Sequence, residues 1–96
     1  MAKMSEAEIR SGLEQASNWT QAGEAIQRTF SFQSFVESMA FVNRVADEAE
    51  RAEHHPDILI RYNKVTLTLS THDAGGITRK DFDLALAVDG FVPATA

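Results

Sequence analysis

The chain predicts an α+β fold: a four-stranded antiparallel sheet covered on one face by helices, in the order α-β-β-α-β-β-α. Three observations carry that reading. Two alternating, β-branched stretches each fold back on a short turn, one long stretch between them repeats every three or four residues, and no strand–helix alternation demands parallel crossovers. At 96 residues the chain is read as a single domain spanning 1–96.

Ser5 stands three residues before Glu8 in a capping-box pattern, and Ile9 and Leu13 give the segment an apolar edge, so a short first helix is expected, weakened by Gly12. Trp19-Thr20-Gln21, the turn-like Ala22-Gly23 and Glu24 to Phe32 predict a hairpin. On its second arm Ile26, Phe30 and Phe32 share one face, Gln27, Thr29 and Ser31 the other, and Arg28 interrupts the apolar side.

The most periodic segment opens with Ser34 as N-cap and Glu37 at the capping-box position. Phe35, Met39, Val42, Ala46 and Ala49 then recur at helical spacing, which predicts a helix from about Ser34 to Glu53. Arg44 with Glu48 and Asp47 with Arg51 are its expected i,i+4 pairs on a solvated face. The helix should stop at His55, because Pro56 biases its predecessor away from the α region.

Asp57 to Tyr62 and Val65 to Thr71 alternate around an expected two-residue turn, Asn63-Lys64, with Val65, Leu67 and Leu69 toward a core. Ala74-Gly75-Gly76 turns the chain again. Thr78 with Asp81 then opens a last helix, whose Phe82, Ala85 and Leu86 form an apolar edge up to Gly90.

Composition narrows the function. Nine Lys and Arg against fourteen Asp and Glu leave a formal charge of −5, which argues against direct binding of nucleic acid or of anionic lipid. The absence of cysteine excludes disulfides, thiolate metal sites and cysteine nucleophiles. No run of apolar residues reaches signal-peptide or membrane-span length, so a soluble, cytoplasmic protein is expected. A core this small, with exposed strand edges, leads us to expect a homodimer or homotetramer.

All three histidines fall between positions 54 and 72. Histidine exchanges protons near neutrality, so three brought together point to proton transfer. Glu50 lies one turn before His54, near enough to orient its ring, and Glu53 adds a second carboxylate. On its own, a histidine pair before a proline reads more readily as a helix cap favoured by the dipole. His72 shifts the balance, because a hairpin with arms of similar length returns Thr71-His72 to the side of His54-His55. Zinc is the alternative occupant, though the adjacent His-His spacing is not the i,i+4 arrangement of two imidazoles on one helical face. Gly75-Gly76 lacks the rest of a phosphate loop and reads as a turn, and the single Trp19 reads as packing.

These residues also form a pattern. The run Glu50-Arg51-Ala52-Glu53-His54-His55-Pro56, followed by Tyr62, His72 and Asp81, resembles the pterin-4a-carbinolamine dehydratase family, as do Tyr62-Asn63-Lys64-Val65 and Leu69-Ser70-Thr71-His72. The likeness covers nearly the whole chain and is less clear before Trp19. One departure is Ile58, where many members carry tryptophan, which bears on any aromatic wall on that side of the pocket. The resemblance implies a lyase without cofactor or metal that removes water from a 4a-hydroxytetrahydropterin to give the quinonoid dihydropterin. It further implies that His54 and His72 act as general acid and base and that His55 holds the pterin. Glu53, Ser70, Thr71 and Asp73 would line the site, with Glu50 and Asp81 as supporting carboxylates. The competing implication is an interaction module, since animal members resemble dimerisation cofactors of a homeodomain transcription factor.

Overall fold

The structure is a computed structural model that describes residues 2–93 and 95–96. Helix α1 (Glu6–Gln15) precedes strands β1 (Thr20–Ala22) and β2 (Ala25–Ser31); α2 (Phe35–Ala52) leads to β3 (Asp57–Arg61) and β4 (Lys64–Leu69). A single 3-10 turn at His72–Ala74 then precedes α3 (Arg79–Asp89). The four strands form one antiparallel sheet in the order β1-β2-β4-β3, so the α+β arrangement is the one the sequence predicts.

One face of the sheet supplies Ile26 and Phe30 from β2 and Val65, Leu67 and Leu69 from β4, each fully buried. They form a single core with Ile9 of α1, Phe41 and Val45 of α2, and Phe82, Ala85 and Val88 of α3. The opposite face carries hydrogen-bonded polar pairs, Thr29 with Thr66 at 2.8 Å and Gln27 with Thr68 at 3.0 Å. That alternation is what a sheet covered on one side requires.

Arg28 sits on the apolar face and is nonetheless buried. Its guanidinium lies 4.2 Å from the centre of the Phe30 ring and 2.7 Å from Asp89, at the end of α3, and the same carboxylate accepts the Trp19 indole N–H at 2.9 Å. The charge interrupting the strand pattern is thereby neutralised inside the fold. Trp19, almost fully buried, belongs to this packing.

Helix α1 begins in a complete capping box: Glu8 N–H donates to Ser5 Oγ at 3.2 Å and Ser5 N–H to Glu8 Oε1 at 2.8 Å. Gly12, which weakens the helix locally, is required by packing. A Cβ there would lie 2.6 Å from Cζ of Phe82, so α1 and α3 approach closely only because the side chain is absent.

Three expectations for α2 are corrected. The buried stripe is Ser38, Phe41, Val45 and Ala49, whereas Phe35 and Ala46 are exposed. At about 100° per residue, this stripe and the expected one lie on neighbouring sectors, and the helix is rotated so that Phe41, which packs on Phe30 and Phe32, points inward in place of Phe35. Ser38, polar and buried, is satisfied by donating to Ser34 carbonyl at 3.2 Å. Ser34 does cap Glu37 N–H, at 3.1 Å, but the Glu37 carboxylate turns back to Gln33 N–H at 3.3 Å, so the reciprocal half of the box is not formed. Neither expected i,i+4 pair forms: Arg44 stacks 4.3 Å from the Phe91 ring, and Arg51 bonds Glu48 at 2.8 Å.

Two boundaries also move. Helix α2 ends at Ala52, not at His55, because Glu53 adopts a left-handed conformation (φ 52°) and its N–H returns to the carbonyls of Ala49 and Glu50. His54 N–H completes the cap on Ala49 carbonyl at 3.1 Å. The stop is thus a C-terminal cap three residues before the proline. The second hairpin turns at Tyr62-Asn63 instead of Asn63-Lys64, since Lys64 pairs with Arg61 and Tyr62 takes the positive φ of 53°. Asn63 is held in that turn by bonds in both directions with Phe32: its side-chain amide donates to Phe32 carbonyl at 3.1 Å, and its carbonyl accepts Phe32 N–H at 2.8 Å. On α3, Leu84 and Val88 complete the buried edge with Phe82 and Ala85, while Leu86 remains partly exposed.

Candidate functional site

The register of the second hairpin brings the histidines together. Asp57 pairs with Thr68, so the segment His54-His55-Pro56 entering β3 lies beside the segment Leu69 to His72 leaving β4. A cavity of about 260 Å³ opens between them, lined by Glu53, His54, His55, Ser70, Thr71, His72, Asp73 and Lys80. Every residue expected to line a binding site is on its wall. Of the two supporting carboxylates, Asp81 and Glu50, each bonds one of the wall histidines from behind. Lys80 lines the cavity as well and was missed, because a lysine in a helix's first turn carries no sequence signal for a pocket.

Asp81 is the organising group. It is fully buried, and each carboxylate oxygen has defined partners. Oδ2 accepts Thr78 N–H at 2.8 Å as part of the α3 capping box and the Thr71 hydroxyl at 2.9 Å; Thr71 and Thr78 hydroxyls are themselves 2.7 Å apart. Oδ1 lies 2.6 Å from Nε2 of His54, whose side chain is only 11% exposed. An ionised carboxylate only accepts hydrogen bonds, so with Asp81 in that form Nε2 of His54 is the donor, and in the neutral imidazole the lone pair is on Nδ1. The sequence pattern of a helix cap therefore conceals a second function for the same side chain.

This corrects the expected pairing of Glu50 with His54. Once the helix stops at Ala52, the two residues no longer sit one helical turn apart, and the left-handed step at Glu53 sends His54 inward to Asp81 and leaves His55 outside. Glu50 Oε2 instead lies 2.5 Å from Nε2 of His55, a pair largely exposed to solvent. The conformation that separates the two histidines costs about 1 kcal/mol in a residue other than glycine.

His72 is exposed on the 3-10 turn, whose N–H groups at Ala74 and Gly75 bond back to Thr71 and His72 carbonyls at 3.1 and 3.0 Å. Gly75 is left-handed (φ 75°), and Gly76 bridges back to Thr71 by two backbone bonds of 2.9 and 3.3 Å, so the loop bearing His72 is closed on itself. Ser70 ties its root to the first hairpin by donating to Glu24 carbonyl at 2.7 Å. Ile58 is not on the cavity wall; it pairs across from Leu67.

Among the described residues no three His, Asp or Glu side chains come together as a metal site. No helix of the described chain is long and apolar enough to cross a membrane. A larger hollow, about 460 Å³, lies between the N-terminal segment, α1 and the start of α3 and is lined by no histidine. All three histidines line the smaller one.

Comparison with known proteins bears on the family and the fold. The sequence profile of the family described as Pterin 4 alpha carbinolamine dehydratase matches residues 2–91. A relative in Picosynechococcus sp., provisionally named a pterin-4-alpha-carbinolamine dehydratase, is 51% identical over 87 residues, covering 91% of this chain and 95% of that one. A relative of the same provisional name in Thermomicrobium roseum is 55% identical over 85 residues, covering 88% and 91%. Among solved structures, a protein of Brucella melitensis titled transcriptional coactivator/pterin dehydratase superposes with a TM-score of 0.91 at 31% identity, over 95% of this chain and 99% of that one. A pterin dehydratase-like protein titled a RuBisCO assembly factor in the alpha-carboxysome superposes at 0.65 with 25% identity, over 76% and 87%.

Proposed function

Because the chain belongs to the pterin 4 alpha carbinolamine dehydratase family, we propose that it is a hydro-lyase removing water from a 4a-hydroxytetrahydropterin by histidine acid–base catalysis, without cofactor or metal. One observation carries the reading: His54, on the wall of a cavity that also bears His72, is coupled through Nε2 to a buried, fully bonded carboxylate behind it.

The dehydration breaks one C–O bond and one N–H bond. A proton is delivered to the departing 4a-hydroxyl, which leaves as water, while the proton on the adjacent ring nitrogen is removed and its electron pair closes the C=N bond of the quinonoid dihydropterin. His54, with Nδ1 free and Asp81 placed to stabilise the imidazolium, suits the base. His72, on its exposed turn, suits the acid. His55, oriented by Glu50, holds the pterin, and the Glu53 and Asp73 carboxylates offer acceptors for the ring's N–H donors, with Ser70 and Thr71 beside them.

The test is stopped-flow dehydration of a 4a-hydroxytetrahydropterin. His54→Ala and His72→Ala should each lower the catalysed rate by about 10² to 10⁴, down to the spontaneous background, and His55→Ala should chiefly raise KM. Activity should survive exhaustive chelation. If the protein lacking both His54 and His72 dehydrates the substrate as fast as the wild type, the assignment is wrong.

A second reading, a protein-interaction module, is favoured by the exposed apolar side chains Phe35 and Val36 at the start of α2 and Leu59 and Tyr62 on and beside the edge strand β3. The titles of the structural neighbours, coactivator and assembly factor, point the same way for those proteins. We take this surface first as the contact of a homodimer or homotetramer, formed by one domain spanning 1–96 and working in the cytoplasm.

A further inference from the structure

Of the three histidines on the cavity wall, His72 is the one whose ring has no partner. His54 is held on Asp81 and His55 on Glu50, whereas the His72 side chain makes no hydrogen bond or ion pair among the described residues. Its place in the cavity is therefore set by the backbone that carries it. That backbone is the loop from Thr71 to Gly76, which its own bonds close into one body. Where such a body stands relative to His54 depends on how its root is attached.

Two consecutive residues hold the root from opposite sides. Leu69 is the last residue of β4 paired with β2, so Ser70 lies one step beyond the ladder. Its hydroxyl makes the attachment there by donating to the Glu24 carbonyl at 2.7 Å, in the turn between β1 and β2. Thr71, in extended conformation (φ −106°, ψ 98°), directs its hydroxyl the other way, to Asp81 at 2.9 Å. Glu24 also reaches the far end of the loop: a Cβ on Gly76 would lie 2.5 Å from Oε2 of Glu24, so that side chain packs on the glycine. One turn of the first hairpin thus grips the loop at both ends. The two tethers differ in consequence. Thr71 shares Asp81 with His54, so altering it disturbs both histidines, whereas the Ser70 bond involves neither Asp81 nor His54 and bears on His72 alone.

We propose that Ser70 is a positioning residue, whose bond to the Glu24 carbonyl holds His72 in its working place opposite His54. This inference rests on the dehydratase reading for the work that His72 does. A hydroxyl engaged in this way has no proton left to donate to a ligand, so its role differs from that of a residue that binds the pterin. A misplacement of about 1 Å can cost about 10² in rate, so one bond at the root of the loop is legible in turnover.

The test measures kcat and KM for dehydration of a 4a-hydroxytetrahydropterin in wild type, Ser70→Ala, Ser70→Thr, Gly23→Val and the Ser70→Ala/Gly23→Val double variant, with the ring-proton NMR signals of the three histidines in each. Gly23 is left-handed (φ 62°) with nothing within 4 Å of where a Cβ would stand, so valine there strains the turn that presents the Glu24 carbonyl without meeting another group. Ser70→Ala and Gly23→Val should each lower kcat by about tenfold at unchanged KM, and Ser70→Thr, which keeps the hydroxyl, should retain most of the rate. The double variant should lose no more than either single one, because both break the same bond. The His72 signals should shift or broaden in Ser70→Ala while those of His54 stay in place. A raised KM at constant kcat would make Ser70 a binding residue. An unchanged kcat, or His54 signals that move as far as those of His72, would leave the bond a general structural one. Each of these overturns the inference while the dehydratase reading stands, and if Ser70→Ala does not fold, Gly23→Val decides by the same criteria. If wild type does not accelerate the dehydration above its spontaneous rate, the dehydratase reading fails and this inference with it.

Discussion

Oδ1 of Asp81 lies 2.6 Å from Nε2 of His54, while Oδ2 of the same carboxylate caps α3 through Thr78 N–H at 2.8 Å. One buried side chain therefore starts a helix and sets the tautomer of a histidine. The two functions cannot be altered separately, because removing either acceptor leaves a buried donor without a partner.

Asp81→Asn is the sharpest probe of that relationship. An amide offers one oxygen and one NH₂ group, so it can keep the cap on Thr78 only by presenting N–H donors to His54. Nε2 would then have to accept and the proton would move to Nδ1. We expect turnover to fall by about 10² to 10⁴, as for loss of the base itself, with a stability loss of about 1–3 kcal/mol. Nitrogen-15 NMR of the His54 ring reads the tautomer directly, and an Asn variant that keeps its proton on Nε2 would contradict the mechanism.

Gly12→Ala tests the close approach of α1 and α3. Alanine favours the helix by up to ~1 kcal/mol, but its Cβ would sit 2.6 Å from the Phe82 ring, and overpacking costs about 1–3 kcal/mol. The variant should melt below wild type, and adding Phe82→Leu should return part of the loss. A stabilised Gly12→Ala protein would mean that the helices part freely.

The Glu8 carboxyl is held below its usual range, first by the hydrogen bond from Ser5 N–H and then by the Ser5 side chain. A depressed folded-state value means that this capping contribution is present above the ordinary glutamate range and lost as pH falls through the depressed value. Ser5→Ala removes the Ser5 hydroxyl and keeps the backbone N–H, so it should raise the Glu8 titration midpoint only part of the way toward that of a free glutamate, measured by carbon-13 NMR of its carboxyl. An unchanged midpoint would remove the Ser5 hydroxyl as a cause.

Self-association through the β3 edge predicts that the wild type sediments above monomer mass at micromolar concentration. Leu59→Lys, which puts a charge on an exposed edge residue, should shift it toward monomer. A wild-type protein that is wholly monomeric under those conditions would rule out this surface as a self-contact.

The element order and both capping boxes that close fully, Ser5 with Glu8 and Thr78 with Asp81, were legible in the sequence because they depend on residues three or four apart. The inward residues of β4 were legible for the same reason, since strand alternation is a local property. The convergence of His54 and His72 could be anticipated from the equal arms of a hairpin, and the register supports it even though the turn itself moved by one residue.

The identity of the partners was not legible. Glu50 was the natural neighbour of His54 while the helix was expected to continue, and only the left-handed Glu53 turns His54 toward a carboxylate 27 residues away. The buried stripe of α2, the neutralisation of Arg28 by Asp89 and the fit of Gly12 under Phe82 are likewise contacts between elements. By itself the sequence determined which residue types were available for proton transfer and which segments would be helix or strand, because spacing and propensity act over one or two turns. Tertiary structure decided which histidine is oriented by which carboxylate, because that depends on how a helix ends and what lies across the core from it.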